Sequence, residues 1–194
     1  MSGEVLHLVG FSGSLRAASY NSALLREVVA MLPATVRITV HSIADIPLFN
    51  EDVEEQGTPE PVLALHRAIR ASDGVVLATP EYNHGIPGVL KNTLDWMSRG
   101  TPHAFYGVPT ALLGASNGFI GTTRSQAATR QTLAALNSPC LPFPQVLVSR
   151  VQDKIDANLR LTDESTRKFI HIWLVEVERW MRRFPRSERE ATGA

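Results

Sequence analysis

Apolar residues recur along the chain in two alternating patterns. Short, nearly continuous apolar runs are typical of strands buried on both faces of a parallel sheet. Such runs predict strands over residues 4–11, 36–41, 74–79, 108–114 and 145–149. Between them, apolar residues spaced three and four apart are typical of amphipathic helices. This spacing predicts helices over residues 21–32, 59–71, 87–99, 122–136 and 162–183.

The alternation of strands with helices predicts an α/β fold. Right-handed crossovers between parallel strands place helices on both faces of the sheet. The 194 residues are too few for an eight-unit barrel, which needs about 250. We therefore predict a flavodoxin-like, doubly wound, five-stranded parallel sheet in one domain over residues 1–185. We expect a frayed tail over residues 186–194, and we interpret the irregular stretch 42–58 as a lid.

Composition narrows the function. Lys and Arg balance Asp and Glu at 19 each, so no basic field favours nucleic acid as a partner. The histidines lack the spacing of a zinc helix, and we expect no metal site. Cys140 is the only cysteine, which favours a buried structural thiol. No apolar run approaches the roughly 20 residues of a membrane span, and no secretory signal is visible. We expect a cytoplasmic protein with small-molecule partners.

The loop after the first predicted strand has the composition of a phosphate site. Ligands of doubly wound sheets bind beyond the carboxyl ends of the strands. Ser14, Arg16, Ser19 and Asn21 occupy this loop and the start of the next helix. Unpaired N–H groups, hydroxyls and a guanidinium together suit a monophosphate. The loop is neither a Walker A motif nor a G-x-G-x-x-G motif, and an N-capped loop without a ligand is the alternative.

The loop after the third predicted strand suits a planar ring. Two prolines and two glycines between residues 79 and 88 predict a rigid exposed turn. Tyr82 offers a flat apolar surface, and Asn83 and nearby backbone amides can bind ring carbonyls and nitrogens. His84 and Gly85 allow the backbone to approach closely. The alternative is a loop that starts a helix, with Tyr82 buried for packing.

The loop after the fourth predicted strand, residues 114–121, supports two interpretations. Its glycines allow close approach to a ring edge, with Ser116 and Asn117 as partners. Residues 114–118 also match the G-x-S-x-G pattern of serine hydrolases, and Asp163 and His171 follow in the order of a triad. Against a hydrolase, His171 falls inside a predicted helix, and that interpretation gives the other two loops no function.

Taken together, these loops resemble the NADPH-dependent FMN reductase family, which includes quinone, chromate and azo-compound reductases. The resemblance rests on residues 13–16 with Ser19 and Asn21, on residues 42–48, and on residues 80–83 and 86–92 with Asp95 and Trp96. It implies that the FMN phosphate is held by Ser14, Arg16, Ser19 and Asn21. It also implies that the flavin ring is lined by Glu81, Tyr82, Asn83, His84 and Ser116.

The resemblance also implies an activity. NADPH or NADH would deliver hydride to flavin N5, and the electrons would pass to quinones, free flavin, azo compounds or chromate. Because the flavin carries the redox chemistry, we expect no catalytic side chain. Members of this type are homodimers or homotetramers, with the site near the subunit interface. A non-enzymatic electron carrier or redox sensor on the same fold is the alternative.

Overall fold

A computed structural model describes residues 4–191, and its elements follow the predicted alternation. The strands are β1 (Leu6–Ser12), β2 (Val36–Val40), β3 (Gly74–Ala78), β4 (Thr110–Ala115) and β5 (Val146–Val148). The helices are α1 (Tyr20–Ala30), α2 (Glu51–Glu55), α3 (Glu60–Ala71), α4 (Gly88–Met97), α5 (Thr123–Ala135), α6 (Glu164–Met181) and α7 (Arg186–Ala191), with a 3₁₀ turn at Val151–Asp153.

The five strands form one parallel sheet in the order β2-β1-β3-β4-β5. After β1 the chain crosses to one side, and after β2 it returns to the other side of β1, so the strand order reverses between β1 and β3. The predicted doubly wound, flavodoxin-like sheet is therefore confirmed. Ligands of such sheets bind at this reversal, beyond the carboxyl ends of the strands.

Two apolar cores cover the two faces of the sheet. One contains Leu24 of α1 and Trp173 of α6, and the other contains Trp96 of α4 and Leu133 of α5. All five residues of β3 are buried, which explains why this strand has no polar alternation in the sequence. No helix among residues 4–191 is both long and apolar enough to cross a membrane.

The stretch 42–58, which the sequence suggested as a lid, is more ordered than expected and packs on α4. Its carbonyl at Pro47 accepts hydrogen bonds from the side chains of Asn92 and Trp96, both at 2.8 Å. It also contains α2, whose Glu54 pairs with Arg99 at 2.7 Å. These contacts fasten the stretch to α4, and within the described chain it contributes no residue to the cavity described below.

The carboxyl tail also departs from prediction. Arg186–Ala191 form the short helix α7 instead of fraying, because arginines dock it on the end of α3. Arg186 donates to the carbonyl of Ala71 at 2.6 Å, and Arg189 donates to that of Ser72 at 2.7 Å. The rest of the predicted tail, 192–194, and residues 1–3 lie outside the described part of the chain.

Candidate functional site

A cavity of about 880 Å³ opens at the reversal of the strand order. It lies between the loops that follow β1, β3 and β4, which are called the first, second and third loops below. Its volume is within the range of about 300–1,000 Å³ typical of small-molecule sites. The predicted site residues all line it, namely Ser14, Arg16, Ser19, Asn21, Glu81, Tyr82, Asn83, His84 and Ser116. Other residues line the cavity that were not predicted to bind the cofactor, and they include Tyr20, Phe119, Ile120 and Arg124.

The first loop presents unused hydrogen-bond donors. Within the described chain, the backbone N–H groups of residues 14–18 donate no hydrogen bond. Arg16 is exposed; its guanidinium donates to the carbonyl of Ala18 and lies 5.4 Å from the centre of the Tyr20 ring. Open amides in front of a helix, with a cation beside them, form an anion site.

Ser19 and Asn21 hold this loop in place. The Ser19 hydroxyl accepts a hydrogen bond from the Ser22 N–H at 3.2 Å and so caps α1. Asn21 is 4% exposed, and its side chain exchanges two hydrogen bonds of 2.9 Å with the backbone of Ala115 at the end of β4. The amide of Asn21 therefore joins the first loop to the third.

The second loop makes a tight turn at Asn83 and His84. Both residues have positive φ, 51° and 64°, and the backbones of Tyr82 and Gly85 exchange two hydrogen bonds across them. A left-handed conformation at two successive residues closes the chain within two positions. Tyr82, Asn83 and His84 are consequently exposed at the cavity rim, so the alternative of a buried Tyr82 is wrong.

Glu81 has a role that the sequence did not reveal. Its carboxylate accepts hydrogen bonds from the backbone N–H groups of Arg124 at 2.9 Å and Ser125 at 3.0 Å. These donors are in the first turn of α5, where no acidic residue of the helix itself is present. A carboxylate at a helix N-terminus satisfies open donors and complements the helix dipole. Glu81 thus fastens the second loop to α5.

The third loop depends on Gly114 and Ser116. A Cβ atom on Gly114 would collide with Thr122 and with the carbonyl of Thr79, so only glycine lets these segments approach. The Ser116 hydroxyl donates to the carbonyl of Gly121 at 2.6 Å and accepts from the Gly118 N–H at 3.2 Å. Ser116 thereby shapes the loop at the edge of the cavity.

The geometry does not favour a hydrolase triad. Asp163 is the N-cap of α6, and hydrogen bonds from Thr166 and Ser165 lower the pKa of its carboxyl group. His171 is exposed on α6 and makes no hydrogen bond with Ser116 or Asp163 within the described chain. Ser116 and Asp163 each make local hydrogen bonds of their own, and the G-x-S-x-G match arises from a glycine-rich turn.

Cys140 does not line this cavity. The sequence favoured a buried structural thiol, and the structure shows Cys140 half-buried against the second core. Burial raises the pKa of its thiol to about 11, although the nearby Arg130 guanidinium opposes the shift. The thiol is therefore neutral at physiological pH. Among residues 4–191, no cluster of three His, Cys, Asp or Glu side chains could hold a metal ion.

The residues of the cavity fit a flavin mononucleotide. Open amides and Arg16 provide donors for a phosphate at one end of the cavity. Tyr82 is 52% exposed and Phe119 is 86% exposed, and both offer apolar surface to a planar ring.

The strand order and the position of the cavity define the class of flavodoxin-like α/β proteins. The model of the family described as NADPH-dependent FMN reductase matches residues 6–153. An NAD(P)H-dependent FMN reductase of Pseudomonas aeruginosa is 44% identical over 178 residues, which cover 92% of this chain and 96% of that protein. A quinone reductase of Escherichia coli strain K12 is 41% identical over 155 residues, covering 79% and 82%.

A solved structure agrees with these sequence relatives. The flavoenzyme NAD(P)H:(acceptor) oxidoreductase of Paracoccus denitrificans superposes with a TM-score of 0.85 at 30% identity, covering 93% of this chain and 100% of that one. The chain therefore belongs to the NADPH-dependent FMN reductase family. The predicted family, enzyme class, FMN cofactor and dependence on NAD(P)H are confirmed.

Proposed function

We propose that the three-loop cavity binds FMN and that the protein uses it to pass two electrons from NADPH or NADH to quinones. The observation that carries this proposal is the set of unused N–H groups at residues 14–18 beside Arg16, which open into the same cavity as the second and third loops. When bound, FMN supplies the hydride chemistry, so the protein binds, orients and shields the reactants.

The first loop would hold the phosphate. Ser14 and Arg16 would donate to its oxygens together with the open backbone amides, and the dipole of α1 would favour its negative charge. Ser19 caps α1 and Asn21 is bound to Ala115, so these two side chains would act chiefly by keeping the donors in position.

The second and third loops would enclose the ring. Tyr82 would pack against one side, and the backbone of Asn83 and His84 would approach its polar edge, which their left-handed turn permits. Glu81 would keep this turn against α5, and Ser116 would fix the third loop on the opposite side. Backbone donors near the ring would stabilise the negative charge of its reduced form.

Quinones suit the remaining surface. Tyr82, Phe119 and Ile120 line the cavity and are 52%, 86% and 47% exposed. Clustered apolar side chains at a cavity mouth favour a flat, apolar guest over a small hydrated one. Chromate, azo compounds and free flavin are the other acceptors expected of this family resemblance, and they can be compared in the same assay.

The test is the visible spectrum of the purified protein titrated with FMN, followed by anaerobic NADPH and then a naphthoquinone. We expect saturable flavin binding, bleaching of the flavin bands by NADPH, and their return when the quinone is added. Bands that persist with both NADPH and NADH would indicate an electron carrier that needs a separate reductase. Failure to bind FMN would contradict the proposal.

We further propose that the protein is a cytoplasmic homodimer. The support for the dimer is the family resemblance together with exposed apolar side chains such as Leu48, which is 82% exposed on the stretch fastened to α4. Light scattering should give twice the chain mass of 21.3 kDa, and four times that mass would indicate the tetramer. The cytoplasm is where the reduced nicotinamide nucleotide is available, and cell fractionation tests this location.

A further inference from the structure

The proposed reaction leaves one proton to be supplied. Hydride transfer to one carbonyl oxygen of a quinone forms an O–H bond and leaves the other oxygen as a phenolate. That phenolate needs one proton to become the hydroquinone. Neither the nicotinamide nor the flavin delivers this proton as part of the hydride, so water or a side chain of the protein must supply it.

One side chain at the cavity has suitable chemistry. The ionisable residues that line it are Arg16, Tyr20, Glu81, Tyr82, His84 and Arg124. Among these side-chain types, imidazole is the one that gains and loses a proton close to neutral pH. His84 lies on the cavity rim with 69% of its side chain exposed, so its ring can exchange protons with water.

The carboxylate of Glu81 lies next to the His84 ring. Its Oε1 atom lies 3.5 Å from His84 Nδ1, and its Oε2 atom accepts from the backbone of Arg124 and Ser125. The Glu81 side chain is only 7% exposed and is held by two donors. A fixed carboxylate on one ring nitrogen selects the proton position and leaves the other nitrogen for the reactant.

The backbone also restricts the position of His84. Its φ is 64°, in a turn closed by two hydrogen bonds between Tyr82 and Gly85. Because the proposed flavin contact at this residue uses the backbone, the imidazole is left for a second role. The other basic side chains that line the cavity are the guanidinium groups of Arg16 and Arg124.

We propose that His84 is the proton donor to the reduced acceptor, with Glu81 as its positioning residue. The N–H bond of the imidazolium at Nε2 breaks, an O–H bond forms on the phenolate oxygen, and the imidazole recovers a proton from water. Quinone, hydride and proton together give hydroquinone, so the balance needs no further reactant. This inference rests on the proposed function and departs from the expectation that no side chain takes part in catalysis.

The test compares two acceptors in His84→Asn. Asparagine tolerates positive φ, so the turn is retained, and His171→Asn on the exposed face of α6 is the matched control. Ferricyanide accepts electrons without a proton, whereas a benzoquinone requires one. A general acid contributes about 100- to 10,000-fold, so we expect the ratio of quinone turnover to ferricyanide turnover to fall at least tenfold in His84→Asn and to stay unchanged in His171→Asn.

The pH profile is measured in the same variants. In the wild type the ratio should decline as pH rises, because a general acid acts only in its protonated form, and this decline should disappear in His84→Asn. An unchanged ratio with the profile intact would overturn the proposal, as would a loss seen in Tyr82→Phe but not in His84→Asn. Absence of FMN binding or NADPH oxidation in the wild type would instead contradict the proposed function itself.

A readout independent of turnover tests the pairing. In the protein without FMN, the ¹⁵N chemical shift of His84 Nδ1 reports its interaction with the carboxylate. We expect Glu81→Gln to change this shift and to leave that of His171 unchanged. The glutamine carbonyl can still accept from the first turn of α5, so the loop should remain in place. No change at His84 would show that Glu81 does not orient the ring and would overturn that part of the proposal.

Discussion

The hydrogen-bonding groups near the two ends of α1 differ in whether they have partners within the described chain. Near its carboxyl end, Glu27 is 4% exposed, and its two carboxylate oxygens accept from Arg160 at 2.6 Å and Arg167 at 3.0 Å. At its amino end, the N–H groups of residues 14–18 stay unused within the described chain and Arg16 lies beside them. Buried polar groups with protein partners indicate a structural role, whereas donors without partners at a cavity indicate a ligand site.

Asn21 lies at the amino end of α1, but its side chain makes buried structural hydrogen bonds. We expect its loss to have the largest effect on stability. Asn21→Ala would leave the buried N–H and C=O groups of Ala115 without partners. Two unpaired backbone groups should lower the free energy of unfolding by about 3 kcal/mol, measured by urea denaturation. Asn117→Ala, in the exposed third loop, is the control, and an equal loss there would show that the Asn21 bonds contribute nothing special.

The ion pairs of Glu27 with Arg160 and Arg167 should affect stability but not FMN binding. Glu27→Gln removes the charge that faces both arginines, and we expect the free energy of unfolding to fall by about 2 kcal/mol, less than for a fully buried pair because Arg160 is 67% exposed. The FMN dissociation constant should remain within about twofold of the wild type. A marked loss of FMN affinity in the folded variant would mean that the two ends of α1 are not separate in function.

Arg16 should give the reverse result. Arg16→Gln removes one charged donor to the phosphate, so the FMN dissociation constant should rise about tenfold, or about 1.5 kcal/mol. The free energy of unfolding should stay within about 0.5 kcal/mol, since the side chain is exposed. Arg37→Gln makes the same charge change near the amino end of β2, and equal losses of affinity in both variants would reflect general electrostatics instead of a phosphate contact.

Ser19 should have the smallest effect. Ser19→Ala removes the cap of α1 and should cost about 1 kcal/mol of stability, measured in the same denaturation assay. Ser19→Asn keeps a capping side chain and should recover most of that loss. If Ser19→Ala retained full stability but lost FMN affinity, Ser19 would be a direct ligand of FMN. Its role would then not be limited to capping α1.

Much of the fold could be predicted because its signals are local. The buried strand β3 is a continuous apolar run, and α6 has clear helical spacing, so both are found within about two residues. The short acidic helix α2 has no fully buried residue. Its tertiary contacts come from the partly buried Val53, which packs against the core, and from Glu54, which pairs with Arg99. Its contacts are distant in sequence, which explains why residues 42–58 were interpreted as irregular.

The site residues likewise divide into those visible from local composition and those whose contacts are distant in sequence. Ser14, Arg16 and Tyr82 were predicted from loop composition, because backbone donors, a cation and a ring are visible in the letters. The bonds from Asn21 to Ala115 and from Glu81 to α5 span 94 and more than 40 residues. Nothing in a single sequence pairs such positions, so the holding roles of these two side chains required the structure.

We propose that the open donors of the first loop bind the phosphate of FMN. The most direct measurement is a fluorescence titration of the same protein with FMN and with riboflavin, which differ only in that group. We predict that FMN binds at least 100-fold more tightly, about 2.7 kcal/mol, and that Arg16→Gln narrows the difference. Equal affinities for the two flavins would show that the first loop does not bind the phosphate.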